Sequence, residues 1–140
     1  EKNFRILEKE MRYLSLVNSY RSAFYGYIIG MNQLLAPVIG FISIDCAREA
    51  IRLDDKDPFA YLQNGNIEFY RPPVFGGSKS EALKYYLKAL QLMEADGVLV
   101  KQNWNYLSLL TVIAQAYAYL DDYDRSVFYL KKICYQYIYY

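Results

Sequence analysis

The sequence predicts an all-α protein built of repeated antiparallel helix hairpins, and three observations carry that prediction. One helical signature is written three times, most legibly as Ser80-Glu81-Ala82-Leu83-Lys84-Tyr85-Tyr86-Leu87-Lys88-Ala89-Leu90, again around Arg125 to Cys134, and with small residues in the same slots at Ser43 to Ile51. Apolar residues in these stretches recur at three- and four-residue steps, and no strand-like alternation competes outside them. Start and stop signals also punctuate the chain at hairpin length. Because one hairpin cannot hide its own apolar face, copies must stack into a shared core.

The elements follow in order. Phe4 to Leu35 reads as one long helix or two short ones, weakened by Gly26 and Gly30, with Tyr13, Tyr20 and Tyr27 recurring every seven residues as a packing face. A turn at Ala36-Pro37 leads to a helix from about Gly40 to Leu53. Asp57-Pro58 starts the next, since Asp can cap and Pro is tolerated in a first turn, and Arg71-Pro72-Pro73 stops it. Ser78-Lys79-Ser80-Glu81 has capping-box spacing, so a helix begins near Ser78 to Ser80, buries Ala82, Leu83, Tyr86, Ala89, Leu90 and Met93, and ends near Asp96-Gly97. A further helix spans about Asn103 to Leu120, breaks at Asp121-Asp122, and is followed by one from about Asp124 to Tyr137. Trp104 is read as an anchor for the preceding linker.

Composition narrows the function classes. With 140 residues the chain is read as one domain of about three units, residues 4–53, 57–95 and 103–137. Sixteen basic and fifteen acidic residues are interspersed, which leaves no basic stripe for a nucleic acid or an anionic membrane. The longest uncharged stretch, Gly26 to Ile44, is broken by Asn32, Gln33, Pro37 and Gly40, so no membrane span is predicted. Two distant cysteines and no histidine exclude a tetrahedral metal site, and Cys46 and Cys134 are expected to be free, half-buried thiols. Without histidine, a hydrolase would need Lys, Asp or Glu beside Ser or Cys, and no such pair stands at motif spacing, so no catalytic residue, metal or cofactor is expected.

The residues resemble the tetratricopeptide repeat family. The paired small residues are Ala82 and Ala89, matched by Ser43 and Ala50 and more loosely by Ser126 and Ile133; the small residue of the preceding helix is Gly65 in the middle unit and Ala114 in the last, with Tyr117 three positions on. Asp121-Asp122-Tyr123-Asp124 is similar to the family's inter-helix turn, and Leu53 to Pro58 to its link between units. Ala50 to Ala89 and Ala82 to Ser126 span more than the roughly 34 residues of the standard repeat, so the units carry insertions. One, Arg71 to Gly77 with its Pro and Phe-Gly-Gly, resembles a subset of bacterial, often exported repeat proteins, which would imply a periplasmic or otherwise exported location. Asn64 and Glu68 depart from the family's Leu and Tyr.

The resemblance implies a right-handed α-solenoid that holds a protein or peptide on its concave side. In such repeats the first helix of each hairpin lines that side, giving Leu62, Asn66, Phe69 and Tyr70 in the middle unit and Ser108, Thr111, Gln115 and Tyr119 in the last. This surface is polar-aromatic and nearly uncharged, so tight binding of acidic carboxy-terminal peptides is not expected. Phe75-Gly76-Gly77-Ser78 ahead of a helix could cradle a phosphate but lacks the Gly-Lys-Ser/Thr run, and a rigid loop is the better reading. Glu68 has no second carboxylate to work with, and a bond to a tyrosine hydroxyl or to Arg71 is expected instead. The aromatic run Cys134 to Tyr140 raises self-association, or continuation into further units, as the alternative to a partner-binding scaffold.

Overall fold

A computed structural model describes residues 13–100 and 103–138, apart from the side chains of Val98 and residues 136–138. It is all-helical: α1 (Leu14–Met31), α2 (Ala36–Leu53), α3 (Pro58–Tyr70), α4 (Lys79–Ala95), the short α5 (Gly97–Val100), α6 (Trp104–Tyr119) and α7 (Tyr123–Ile138), with no strand among the described residues. The helices pair as α1 with α2, α3 with α4 and α6 with α7. The first pair rests on α3, and α4 rests on α6. The expected start of the first helix near Phe4, and Tyr139 and Tyr140, lie outside the described residues.

Local chemistry sets the ends. Asp57 caps α3 by accepting from the Phe59 amide at 2.9 Å. Its other oxygen accepts from the Ser15 hydroxyl at 2.6 Å, so the cap also fastens α1 to α3. Ser78 accepts from the Glu81 amide and caps α4, but the reciprocal arm of the capping box is missing. The Ser78 amide is already bound to the Glu68 carbonyl at 2.9 Å, and the Glu81 carboxylate pairs instead with Lys84. α2 begins at Ala36, four residues before the expected start, because Pro37 occupies a first-turn position where its missing N–H costs nothing. The turn itself is Asn32 to Leu35.

The core lies between the second and third hairpins. Leu62 and Phe69 of α3, Ala82, Tyr86, Ala89, Leu90 and Met93 of α4, and Tyr106, Leu109, Leu110, Ile113 and Tyr117 of α6 form one cluster, flanked by Tyr129 and Ile133 of α7. Small residues let the rods approach. Gly65 lies under the fully buried Tyr86 ring, and Ala50, Ala82, Ala89 and Ala114 are all buried. Asn64 bridges hairpins by donating to the Ala47 and Ala60 carbonyls, at 2.7 and 2.8 Å. That bond explains why an amide serves where a leucine was expected from the family pattern.

The first hairpin is assembled differently. Its buried residues are Ser15, Val17, Ser19 and Ser22 of α1 and Ser43, Cys46, Ala47 and Ala50 of α2, and the Ser15 hydroxyl donates to the Ala50 carbonyl at 3.0 Å. The Ser43 hydroxyl donates to the Ser22 carbonyl at 3.0 Å. The seven-residue tyrosine face expected here holds only in part: Tyr13 is half-buried and Tyr20 stacks on Phe59 of α3 at 6.3 Å, but Tyr27 is exposed, and serines rather than tyrosines are buried along α1. Trp104, read as an anchor for the linker before it, is exposed. Cys46 is buried and Cys134 exposed rather than both half-buried, and no disulfide joins them.

Candidate functional site

Four of the eight residues assigned to a binding face share one stripe of α6. Ser108, Thr111, Gln115 and Tyr119 are spaced by three and four residues, and all are exposed. Thr111 donates back to the Leu107 carbonyl at 2.9 Å, which commits its proton and leaves its oxygen as an acceptor. On α3 the assignment divides. Tyr70 is exposed and Asn66 half-buried, whereas Leu62 and Phe69 are buried in the core cluster. Those two positions are corrected: they are buried in the cluster that α3 shares with α4 and α6, and of the four only Asn66 and Tyr70 reach the surface.

The two helices meet at their carboxy-terminal ends. The Phe69 ring stands edge-on to Tyr119 at 5.4 Å and edge-on to Tyr70 at 5.0 Å, so both exposed tyrosines lean on one buried ring. Asn66 is oriented by bonds at its two ends. Its Oδ1 accepts from the Tyr86 hydroxyl at 3.0 Å, and its Nδ2 donates to Gln63 at 3.2 Å. Burial pushes the Tyr86 phenol far above its ordinary range, with the neighbouring Tyr70 adding to the effect. Tyr86 is a neutral donor at any ordinary pH.

One group at this face was missed in the sequence. Lys79, the first residue of α4, carries its ammonium back to donate to the Phe69 carbonyl at the end of α3. It also sits over the Phe69 ring at 3.9 Å and 5.0 Å from the Tyr119 ring. Burial lowers its pKa. A cation is favoured at a helix carboxy-terminus, where unpaired carbonyls carry partial negative charge. The face, read from the sequence as nearly uncharged, thus holds one partly dehydrated ammonium between aromatic rings. Capping-box spacing placed Lys79 at the start of a helix but carried no signal that its side chain would reach another.

The neighbouring loop is rigid. Gly76 takes φ +88°, and a Cβ on Gly77 would fall 1.8 Å from the Arg71 carbonyl oxygen. Arg71 closes the loop by donating to Glu68 at 2.5 Å and to the Gly76 carbonyl at 3.0 Å. Glu68 therefore has the arginine partner expected for it, and the glycines serve the turn. Among the described residues no group of His, Cys, Asp or Glu is placed to hold a metal ion, and no helix is long and apolar enough to cross a membrane. No protein-family model, curated protein or solved structure matches this chain.

Proposed function

We propose that this protein is a non-catalytic scaffold of tetratricopeptide type, its hairpins stacked as a right-handed solenoid that holds a peptide or protein segment along α6 and the end of α3. The observation that carries this reading is the α6 stripe. Ser108, Thr111 and Gln115 present uncharged hydrogen-bonding groups in one line, and the line runs into the Tyr70 and Tyr119 pair backed by Phe69 and Lys79. An extended backbone can bond along such a line while the two tyrosines supply rigid contact area with polar tips. The neutral stripe and single ammonium favour a segment with few charges. An acidic carboxy-terminus would find no bidentate clamp.

The test is a displayed random-peptide selection against the purified chain, followed by titration of the selected peptides. Replacing Tyr70, Gln115 and Tyr119 together by alanine removes exposed atoms and leaves the core intact. Selected peptides should weaken by tenfold or more, equivalent to about 1.4 kcal/mol. Peptides that bind the triple variant as well as the parent would refute this face. The exposed Tyr123, Val127, Phe128, Leu130 and Tyr135 of α7 favour a second reading, in which further helical units continue the stack at that end.

A further inference from the structure

The outward face of α7 is largely apolar, and it carries two opposite charges that the rest of the chain does not meet. Ser126 is buried, and Tyr129 and Ile133 pack on the core cluster, so that side of the helix turns inward. On the opposite side Asp124, Val127, Phe128, Lys131 and Tyr135 follow at steps of three and four residues. All five are exposed, Phe128 by 60% and Tyr135 by 62%. The other charged residues of α7 are engaged within the chain: Arg125 pairs with Asp122, and Lys132 with Glu94. Among the described residues, no side-chain hydrogen bond or ion pair reaches Asp124 or Lys131.

We propose that α7 is the interface between two copies of the chain, packed antiparallel against itself across a two-fold axis that passes beside Val127 and Phe128. Asp124 and Lys131 stand seven residues apart, about 10 Å along the helix, and the axis falls midway between them. Asp124 of one copy then meets Lys131 of the partner subunit, and the same pair forms again on the other side of the axis. Val127 and Phe128 close the apolar centre. This pattern is what selects a second copy. A surface that pairs with itself must present both signs at equal distances from an axis, and the two unmet charges of α7 do so with apolar side chains between them. A parallel pairing would set each charge against its own kind.

Other occupants fit less well. In the register that matches Ser126 with Ala82, the α4 counterparts of Phe128 and Tyr135 are Lys84 and Gln91, both exposed although α6 is in place. The counterpart of Lys131 is Leu87, which packs against the core cluster. A further hairpin stacked as α6 stacks on α4 would therefore leave two aromatic rings in water and press an ammonium into its core. A bilayer would take up both charges unpaired in the middle of the face. With about 150–250 Å² on each aromatic side chain, roughly 60% of it exposed on Phe128 and Tyr135, the face offers on the order of 500 Å² per copy once its aliphatic and edge residues are added. That makes about 1,000 Å² in all, the lower limit for a specific interface, so the dimer should dissociate on dilution. The inference does not depend on the binding face, whose residues lie on α3 and α6, and it puts a second copy in place of a further hairpin on α7.

Light scattering on the purified full chain tests it, read at about 200 μM and after roughly hundredfold dilution. The parent should approach twice the 16.5 kDa chain mass at the higher concentration and fall toward one chain on dilution. Asp124→Lys and Lys131→Asp, each alone, should weaken association by about tenfold or more, because like charges would then meet twice across the axis. The double variant Asp124→Lys/Lys131→Asp re-forms both pairs with their signs exchanged and should dimerise within about threefold of the parent. The exchange is the worse pattern for the dipole of α7, so recovery would come from the contact and not from the helix. A monomeric parent, single variants that associate as tightly as the parent, or a double variant no tighter than the singles would each overturn the proposal. So would loss of the dimer on Leu34→Asp, at the exposed turn between α1 and α2, which would place the contact on the first hairpin.

Discussion

Replacing Gly65 by alanine puts two opposed effects at one atom, and the structure decides which wins. The new Cβ would stand 2.4 and 2.5 Å from two ring carbons of Tyr86. Carbon atoms settle at about 3.5–4.0 Å, so the ring must retreat by about 1 Å or the helices must part. The ring has little room. It is fully buried, its hydroxyl is tied to Asn66, and its face packs beside Phe69. Overpacking of this kind costs about 1–3 kcal/mol, while alanine recovers up to about 1 kcal/mol of helix propensity over glycine. The expected net loss is about 1–2 kcal/mol, or roughly 3–8 °C in Tm for a chain of this size.

Urea melts of the parent, Gly65→Ala, Tyr86→Leu and the double variant read both the sign and the cause. If the methyl and the ring collide, the two changes will be non-additive by about 1 kcal/mol, because removing the ring removes the collision. A Gly65→Ala protein as stable as the parent, or strictly additive losses, would refute the close crossing of α3 and α4.

Three further outcomes are expected. Asp57→Ala removes the α3 cap and the acceptor of the Ser15 hydroxyl, and should cost about 1–2 kcal/mol by chemical denaturation. Ala89→Phe should lose about 1–3 kcal/mol, whereas Lys88→Phe on the exposed side should change stability by about 0.5 kcal/mol or less; equal thermal melts would contradict the packing of α4. Alkaline pH gives the third. Burial raises the phenol pKa values of Tyr86 and Tyr106 above the ordinary 10.0, so the folded state holds these protons more tightly than the unfolded chain. Their contribution is complete below about pH 10 and is lost as pH rises through the folded-state values. The urea midpoint should therefore fall above that pH, and an absorbance titration should show a tyrosine fraction that ionises only on unfolding. Full ionisation of every tyrosine in the folded protein would contradict the burial.

Helix ends and the inward placement of small residues were legible because their signals are local. Asp57-Pro58, the Ser78 cap, the Arg71-Pro72-Pro73 stop and the Asp121-Asp122 break each act on backbone groups a few residues away, and each stands where the sequence placed it. Ala82, Ala89 and Ala114 point inward for the reason their spacing implied, since rods approach closely only over small side chains. The exposure of Ser108, Thr111, Gln115 and Tyr119 was legible on α6, where they fall on one stripe along its length. It was half legible on α3, because periodicity there does not tell which side the other helices cover, and Leu62 and Phe69 are buried in the cluster with α4 and α6.

What this chain determines by itself is therefore its helices, their ends and the small-residue lines along which they cross, all properties of neighbours in sequence. Tertiary structure alone decided that Tyr86 rides over Gly65, that Lys79 reaches back to the Phe69 carbonyl, and that serines rather than tyrosines seam the first hairpin. Each joins groups on separate helices. Which side of a helix is covered depends on the packing of every other helix, and no local pattern encodes that.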